Sequence, residues 1–404
     1  MTDTKIQWTT KTWNPVVGCE IESPGCKNCY AMKMAGRMEA MNAATGNTPQ
    51  YLGTTKQVTT GAGKTKTVWT GKIGIAPDRV WEQPLRRKKP TTYFVNSMGD
   101  LFHPNVPDAA IDRAFAVMAL SPQHTFQILT KHPLRMRAWF STFDRDINFE
   151  SSSWPEIQRI ERRVENDDDV HASQKHHDET ARLEAALYSD VWPLANVHLG
   201  VSVEDQRRAD LRIPVLLDTP AAVRFISAEP LLGPVDLEQV EINGNFYLLD
   251  FLRGEKLDIM ADCVEPTKTA KLDWVIVGGE SGPDARPMHP DWARRIRDAC
   301  EGAEVPFFFK QWGAFQPFDP GDQMGNAPWR ADKRPLETDH RLCGDLVCGT
   351  KDGGFVLVKP AEMMAGLLGE VQFMRSVDTK AAGRRLDGRE HNALPHPLTS
   401  GETS

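Results

Sequence analysis

Apolar residues in this chain gather in short, nearly continuous runs, and between the runs they recur at helical spacing. Runs at 12–17, 91–96 (TTYFVN), 125–130 (TFQILT), 197–203 (VHLGVSV), 222–228 (AVRFISA), 274–277 (WVIV) and 305–310 (VPFFFK) read as seven β-strands. A run without polar alternation suits a strand covered on both faces, the condition of a parallel sheet. Helical patterns occupy 30–41, 107–120, 204–217 and 291–300. Strand–helix alternation predicts an α/β fold. No Gly-rich dinucleotide fingerprint follows the first strand. A parallel (β/α) barrel, complete or partial, with insertions and a C-terminal appendage, is therefore expected rather than a doubly wound sheet.

Three stretches break the rhythm. Residues 42–70, rich in Gly, Thr and Lys, read as a surface excursion. Residues 141–193 are strongly charged, yet Ile157, Ile160 and Val164 keep helical spacing, which predicts an inserted helical hairpin. Residues 236–272 form a third insertion, and Gly and Pro rise from Phe315 onward. The expected organisation is a first barrel part at 1–140 carrying a cysteine loop, the charged insert at 141–193, a second barrel part at 194–314 and an appendage at 315–404.

Chemistry in parallel barrels sits where the strands end, because the following loops converge there. Here every predicted strand end is polar. The first runs into Cys19, Cys26 and Cys29, and the second into Asn96-Ser97-Met98-Gly99-Asp100. Later ends carry Lys131, Ser202 with Glu204, Glu229, Gly278-Gly279-Glu280 and Lys310. Lys131, Glu229, Glu280 and Lys310 are candidate catalytic groups facing a substrate, or else pairs of charges that close the barrel mouth. Trp8, Trp13 and Trp312 suit base stacking or plain packing.

The sharpest signal is Cys19-x6-Cys26-x2-Cys29, three of the chain's seven cysteines within one short loop turned by Pro24-Gly25. Structural zinc takes four ligands, and the loop offers three; His103 is a candidate fourth. Three thiolates with no fourth nearby fit a [4Fe–4S] cluster with one open iron better. Buried, incidental cysteines are the remaining alternative. Cys343 and Cys348, with His340 close by, form a weaker candidate for a second metal site.

Composition adds limits. Hydrophobic residues at 40% and charged residues at 25% exclude wholesale disorder. A net charge of −7 argues against general attraction to nucleic acid. No apolar run is long enough to span a membrane, and the first residues lack a secretory pattern, so a cytoplasmic protein is expected.

Several motifs together resemble a known family. They are Ile6-x-Trp8-Thr9-x-x-Thr12-Trp13-Asn14-Pro15-x-x-Gly18-Cys19, Ser23-Pro24-Gly25-Cys26-x-x-Cys29-Tyr30-Ala31, the run Trp274 to Gly282, and Phe307-Phe308-Phe309-Lys310-Gln311-Trp312-Gly313. With the tail Leu386-Asp387-Gly388-Arg389-Glu390-His391, they resemble the phage-associated three-cysteine-motif family, named for phage gene products thirty-seven and sixty-eight and catalogued as a domain of unknown function. That family in turn resembles the radical SAM superfamily. Here the first cysteine spacing is x6 where the superfamily usually has x3, and Asn28 stands where an aromatic residue is common.

The resemblance implies a [4Fe–4S] cluster on Cys19, Cys26 and Cys29 with S-adenosylmethionine on its open iron. It implies that Asn96, Ser97 and Asp100 hold the methionine amino group, that Ser202 and Glu204 hold ribose hydroxyls, and that Gly278 and Gly279 let backbone approach the adenine. The two glycines equally suit a tight strand-to-helix turn. An electron donor such as a flavodoxin or ferredoxin follows as a partner. A nucleic acid or nucleotide in a phage context, in the host cytoplasm, follows as a substrate class. A non-enzymatic zinc- or cluster-binding protein with an assembly, regulatory or anti-host role is the alternative.

Overall fold

A computed structural model describes residues 4, 6–59, 61, 63, 65–141, 193–241, 247–258, 265–282, 284–318, 346–349, 355–357, 372–376 and 379–395. Seven strands form one parallel sheet: β1 (Lys11–Trp13), β2 (Thr92–Val95), β3 (Thr125–Thr130), β4 (Val197–Ser202), β5 (Val223–Ala228), β6 (Trp274–Gly278) and β7 (Phe307–Gln311). Each strand lies beside its predecessor in the chain, with β1 and β7 at the two edges. A doubly wound sheet reverses its order at a switch point; this one does not. The strand order is that of a partial (β/α) barrel. Strand interiors such as Val95, Ile128, Phe225 and Ile276 are fully buried, as their unbroken apolar runs require.

The chain divides into two compact units, 1–202 with 212–225 and 395–404, and 203–211 with 226–394. In the first, α2 (Asp108–Ala119) and α3 (Pro133–Ser141) follow β2 and β3. The Trp139 ring of α3 stacks on Phe115 of α2, 4.5 Å between centroids, and its N–H donates to Asp112. The expected first strand breaks in two. Pro15 has no N–H to give a ladder, so β1 stops at Trp13, and Val16–Val17 pairs antiparallel with Gly74–Ile75.

Residues 42–70 do more than decorate the surface. Helix α1 (Tyr30–Thr45) continues into them, and the hairpin of Thr55–Thr59 with Thr65–Trp69 follows. Tyr51 and Trp69 join Val17, Ala31, Met32, Ala35 and Met98 in a small core against which Cys19 and Cys29 pack. The predicted hairpin within 141–193 lies outside the described residues, apart from its two ends.

The second unit holds α5 (Pro290–Gly302), between β6 and β7, and begins with part of α4 (Gln206–Leu217). Its 236–272 insertion contains a four-stranded antiparallel sheet of Val240–Glu241, Tyr247–Asp250, Glu255–Asp258 and Thr267–Lys268. Past residue 315, Phe315–Phe318, Leu346–Gly349, Phe355–Leu357 and Gln372–Ser376 form another four-stranded sheet. The chain then returns to the parallel sheet: Phe309 N donates to His391 O, and the Trp274 indole donates to Ala393 O. Asp387 pairs with Arg294 and Arg297 of α5 and fixes that return.

Candidate metal centre

The cysteine loop is shaped by its own backbone. Pro24–Cys26 is a single 3-10 turn; Cys26 N donates to Ser23 O and Cys29 N to Cys26 O. These turns curl the chain so that Cys29 becomes the residue that opens α1. The Cys26 thiol is buried, and the Ser23 hydroxyl lies 3.7 Å from it. Cys19, Cys26 and Cys29 are all free.

The three thiols act on one another. Burial pushes the Cys19 thiol far above its ordinary pKa, and the charges of Asp100, Cys26 and Cys29 push the same way; only the Glu20 N–H opposes them. Burial also raises Cys29, helped by Cys26 and opposed by Lys131 and by the N–H groups of Ala31 and Met32 at the start of α1. Such thiols are poor free nucleophiles, because the thiolate is the reactive form. A bound cation removes the penalty, since it displaces the protons and offsets the crowded charge.

The loop after β2 is built against the cysteine loop. Asn14 Oδ1 accepts from the Ser97 hydroxyl and from Met98 N, each at 3.1 Å. Gly18 N donates to Met98 O, and Gly18 bridges Gly99. A Cβ on Gly99 would stand 2.9 Å from Gly18 O, so this approach requires glycine. Asn96 sits at φ 57°, and its Oδ1 accepts from Val16 N. That contact fixes the orientation of the amide and leaves Nδ2 buried without a hydrogen-bond partner.

Asp100 accepts three hydrogen bonds from within the protein. Oδ1 accepts from Phe102 N and the Thr130 hydroxyl, and Oδ2 accepts from Lys131 N. His103 faces Glu20, with Nε2 3.4 Å from Oε1, and the charges of Glu20, His132, Asp100 and Glu22 bear on it. Burial lowers its pKa. Ser202 is buried, and its carbonyl accepts from Arg212.

In the second unit, Glu204 is wholly buried, and its carbonyl accepts from Leu232 N. Glu229 pairs with Lys310. Glu280 takes three N–H groups of Arg286, two from the guanidinium and one from the backbone, and is itself 7% exposed. A Cβ on Gly278 would meet the Glu229 side chain, whereas one on Gly279 would fall 2.0 Å from Trp312 O. The smallness of Gly279 thus serves backbone packing. The sequence pattern offered no reason to single out Arg286 or Glu20; Asn14 lies inside a quoted motif, and His132 stands beside Lys131 at the polar end of the third predicted strand. Cys263 and Cys343 lie outside the described residues, as does the side chain of Cys348.

Residues 3–395 match the family model described as "Protein of unknown function (DUF5131)". The chain belongs to this family. No curated protein and no solved structure matches this DUF5131 chain. Among the described residues, no helix of the DUF5131 protein is long and apolar enough to cross a membrane.

Proposed function

We propose that this DUF5131 protein is a radical SAM-like iron–sulfur enzyme. The observation that carries the reading is the presence of three free cysteines in one loop, their charges bearing on one another, after the first strand of a parallel sheet whose strands run in chain order. The donor set fits a [4Fe–4S] cluster: three thiolates whose charges bear on one another, with no fourth cysteine among the described residues bearing on Cys19 or Cys29. Cys19, Cys26 and Cys29 would hold it. Reduced by a flavodoxin- or ferredoxin-type donor, such a cluster supplies one-electron cleavage of the S-adenosylmethionine sulfonium and hydrogen abstraction from a substrate.

The chain's own residues would bind and orient the cofactor. The oxygens of Asp100 and Asn96 Oδ1 already accept protein N–H and O–H groups, whereas Asn96 Nδ2 is a buried donor without an acceptor. A donor suits the methionine carboxylate, so we assign Asn96 to the carboxylate rather than to the amino group. Asp100 then positions the loop instead of touching the ligand. Ser202 and Glu204 remain the residues proposed for ribose, and Gly278 for the approach to adenine. Lys131 is the proposed substrate-facing cation on the cysteine side. A nucleic acid or nucleotide of a phage context is the proposed substrate class.

The internal pairing of Glu229 with Lys310 and of Glu280 with Arg286 favours a second reading, a non-enzymatic metal protein. Protein purified without oxygen separates the two. Brown protein with broad visible absorbance and about four irons per chain supports the enzyme; colourless protein with one zinc at the thiols supports the alternative.

A further inference from the structure

The loops after β1, β2 and β3 bring a second group together beside the cysteines. Glu20, His103 and His132 each place one ligand atom within 4.8 Å of the other two. On each histidine one ring nitrogen is left over: Nε2 of His103 and Nε2 of His132 are both buried without a hydrogen-bond partner. The His103 side chain is 0% exposed, so water cannot serve it from the surface. Buried ring nitrogens normally have partners, and two orphans facing one carboxylate call for a common explanation.

The spacing supplies one. His103 Nε2 stands 3.4 Å from Glu20 Oε1. That is long for a charge-assisted N–H···O⁻ bond, which closes to about 2.7–2.9 Å. It matches two ligands on one tetrahedral zinc, where bonds of about 2.0–2.1 Å set neighbouring ligand atoms about 3.3 Å apart. The imidazoles cross at 77° with centroids 5.4 Å apart, so they do not stack face to face. Two imidazoles and one carboxylate are a donor set that zinc and related ions accept.

We propose that Glu20, His103 and His132 bind one divalent transition-metal ion of the zinc class, with a further position left to water. The ion ties together the loops that follow the first three strands. Through Glu20 it anchors the backbone next to Cys19. One contact must be given up. His103 Nδ1 accepts from Asn105 N at 3.1 Å, and metal on Nε2 moves the ring proton to Nδ1. Asn105 is exposed, so its N–H passes to water.

This site does not depend on the cysteines holding a cluster, and cobalt tells the two apart. Full-length protein is stripped with a chelator and titrated anaerobically with Co²⁺ and then Zn²⁺, in wild type, Glu20→Gln and His132→Ala. Both variants lie at less buried positions than His103, and circular dichroism of the metal-free forms verifies their fold. Wild type is expected to bind one more ion per chain than either variant. The wild-type-minus-variant spectrum should contain visible d–d bands and no thiolate-to-cobalt charge transfer. Each variant should weaken that ion by more than the ~10–100-fold that loss of an outer-shell partner causes. Equal metal binding by wild type and both variants overturns the proposal. So does a difference spectrum dominated by thiolate charge transfer, because the histidines would then serve the cysteine site.

Discussion

The carboxylate Oδ1 of Asp100 accepts the Thr130 hydroxyl at 2.7 Å, and this bond joins the loop after β2 to the end of β3. With Phe102 N and Lys131 N on the same carboxylate, three donors from two loops meet one buried acid. Removing it strands all three.

Asp100→Ala is therefore expected to lower stability by about 3 kcal/mol or more, since hydrogen bonds to charged groups contribute roughly 1.5–3 kcal/mol each. Asp100→Asn, which keeps one acceptor oxygen, should cost less. Urea unfolding of the three proteins checks the order; a loss under about 1 kcal/mol for Ala would show that the carboxylate does not hold the loops together.

Adjacent glycines should respond differently to one methyl group. Gly279→Ala drives a Cβ to 2.0 Å from the backbone oxygen of Trp312, which cannot yield without moving β7's end. Gly278→Ala meets the Glu229 side chain at 3.3 Å, and a side chain can shift. Overpacking costs of about 3 kcal/mol or more at 279 and under about 1.5 kcal/mol at 278 are expected from thermal unfolding.

Much of this architecture was legible in the sequence, and the reasons are physical. Strands buried on both faces must be apolar throughout, so β3 was read at its observed bounds and the others to within a few residues. The cysteine trio was legible because all three residues lie in one loop. Helix α3 was missed: Arg135 and Arg137 interrupt its apolar positions, and only tertiary contacts such as Trp139 on Phe115 fix it. The strands within 236–272 are short and half-exposed, so their pattern is weak. The partners of the candidate charges were the least legible. Glu229 and Lys310 are 81 residues apart, and no local pattern encodes their pairing.

That pair gives a further test. Glu229 and Lys310 are 17% and 16% exposed at the side chain. Removing one partner leaves a charge in a poorly solvated place, so Lys310→Met should destabilise by about 3 kcal/mol. Glu229→Gln combined with Lys310→Met should recover part of that loss. A double-mutant cycle measures the coupling; strictly additive losses would mean the pair does not act as one.

Acid should weaken the fold through His198 on β4. Burial lowers its pKa to about 4 in the folded protein. The unfolded chain then binds a proton that the folded chain refuses. Stability is full above the unfolded value of about 6.5 and declines as pH falls from there toward about 4. His198→Gln should flatten the fall in Tm between pH 7 and pH 4, and an unchanged slope would remove His198 as a cause.

The proposed activity rests on Cys19, Cys26 and Cys29 acting as one ligand set, and 5′-deoxyadenosine is its direct product. Wild type, the three single Cys→Ala variants and Cys300→Ala should be reconstituted without oxygen, with thermal stability measured alongside. Each is then incubated with S-adenosylmethionine and a strong reductant. Wild type and Cys300→Ala should form 5′-deoxyadenosine; the three loop variants should lose iron and product together while remaining folded. Iron-loaded wild type that forms no 5′-deoxyadenosine, or a loop variant that keeps both iron and product, contradicts the assignment.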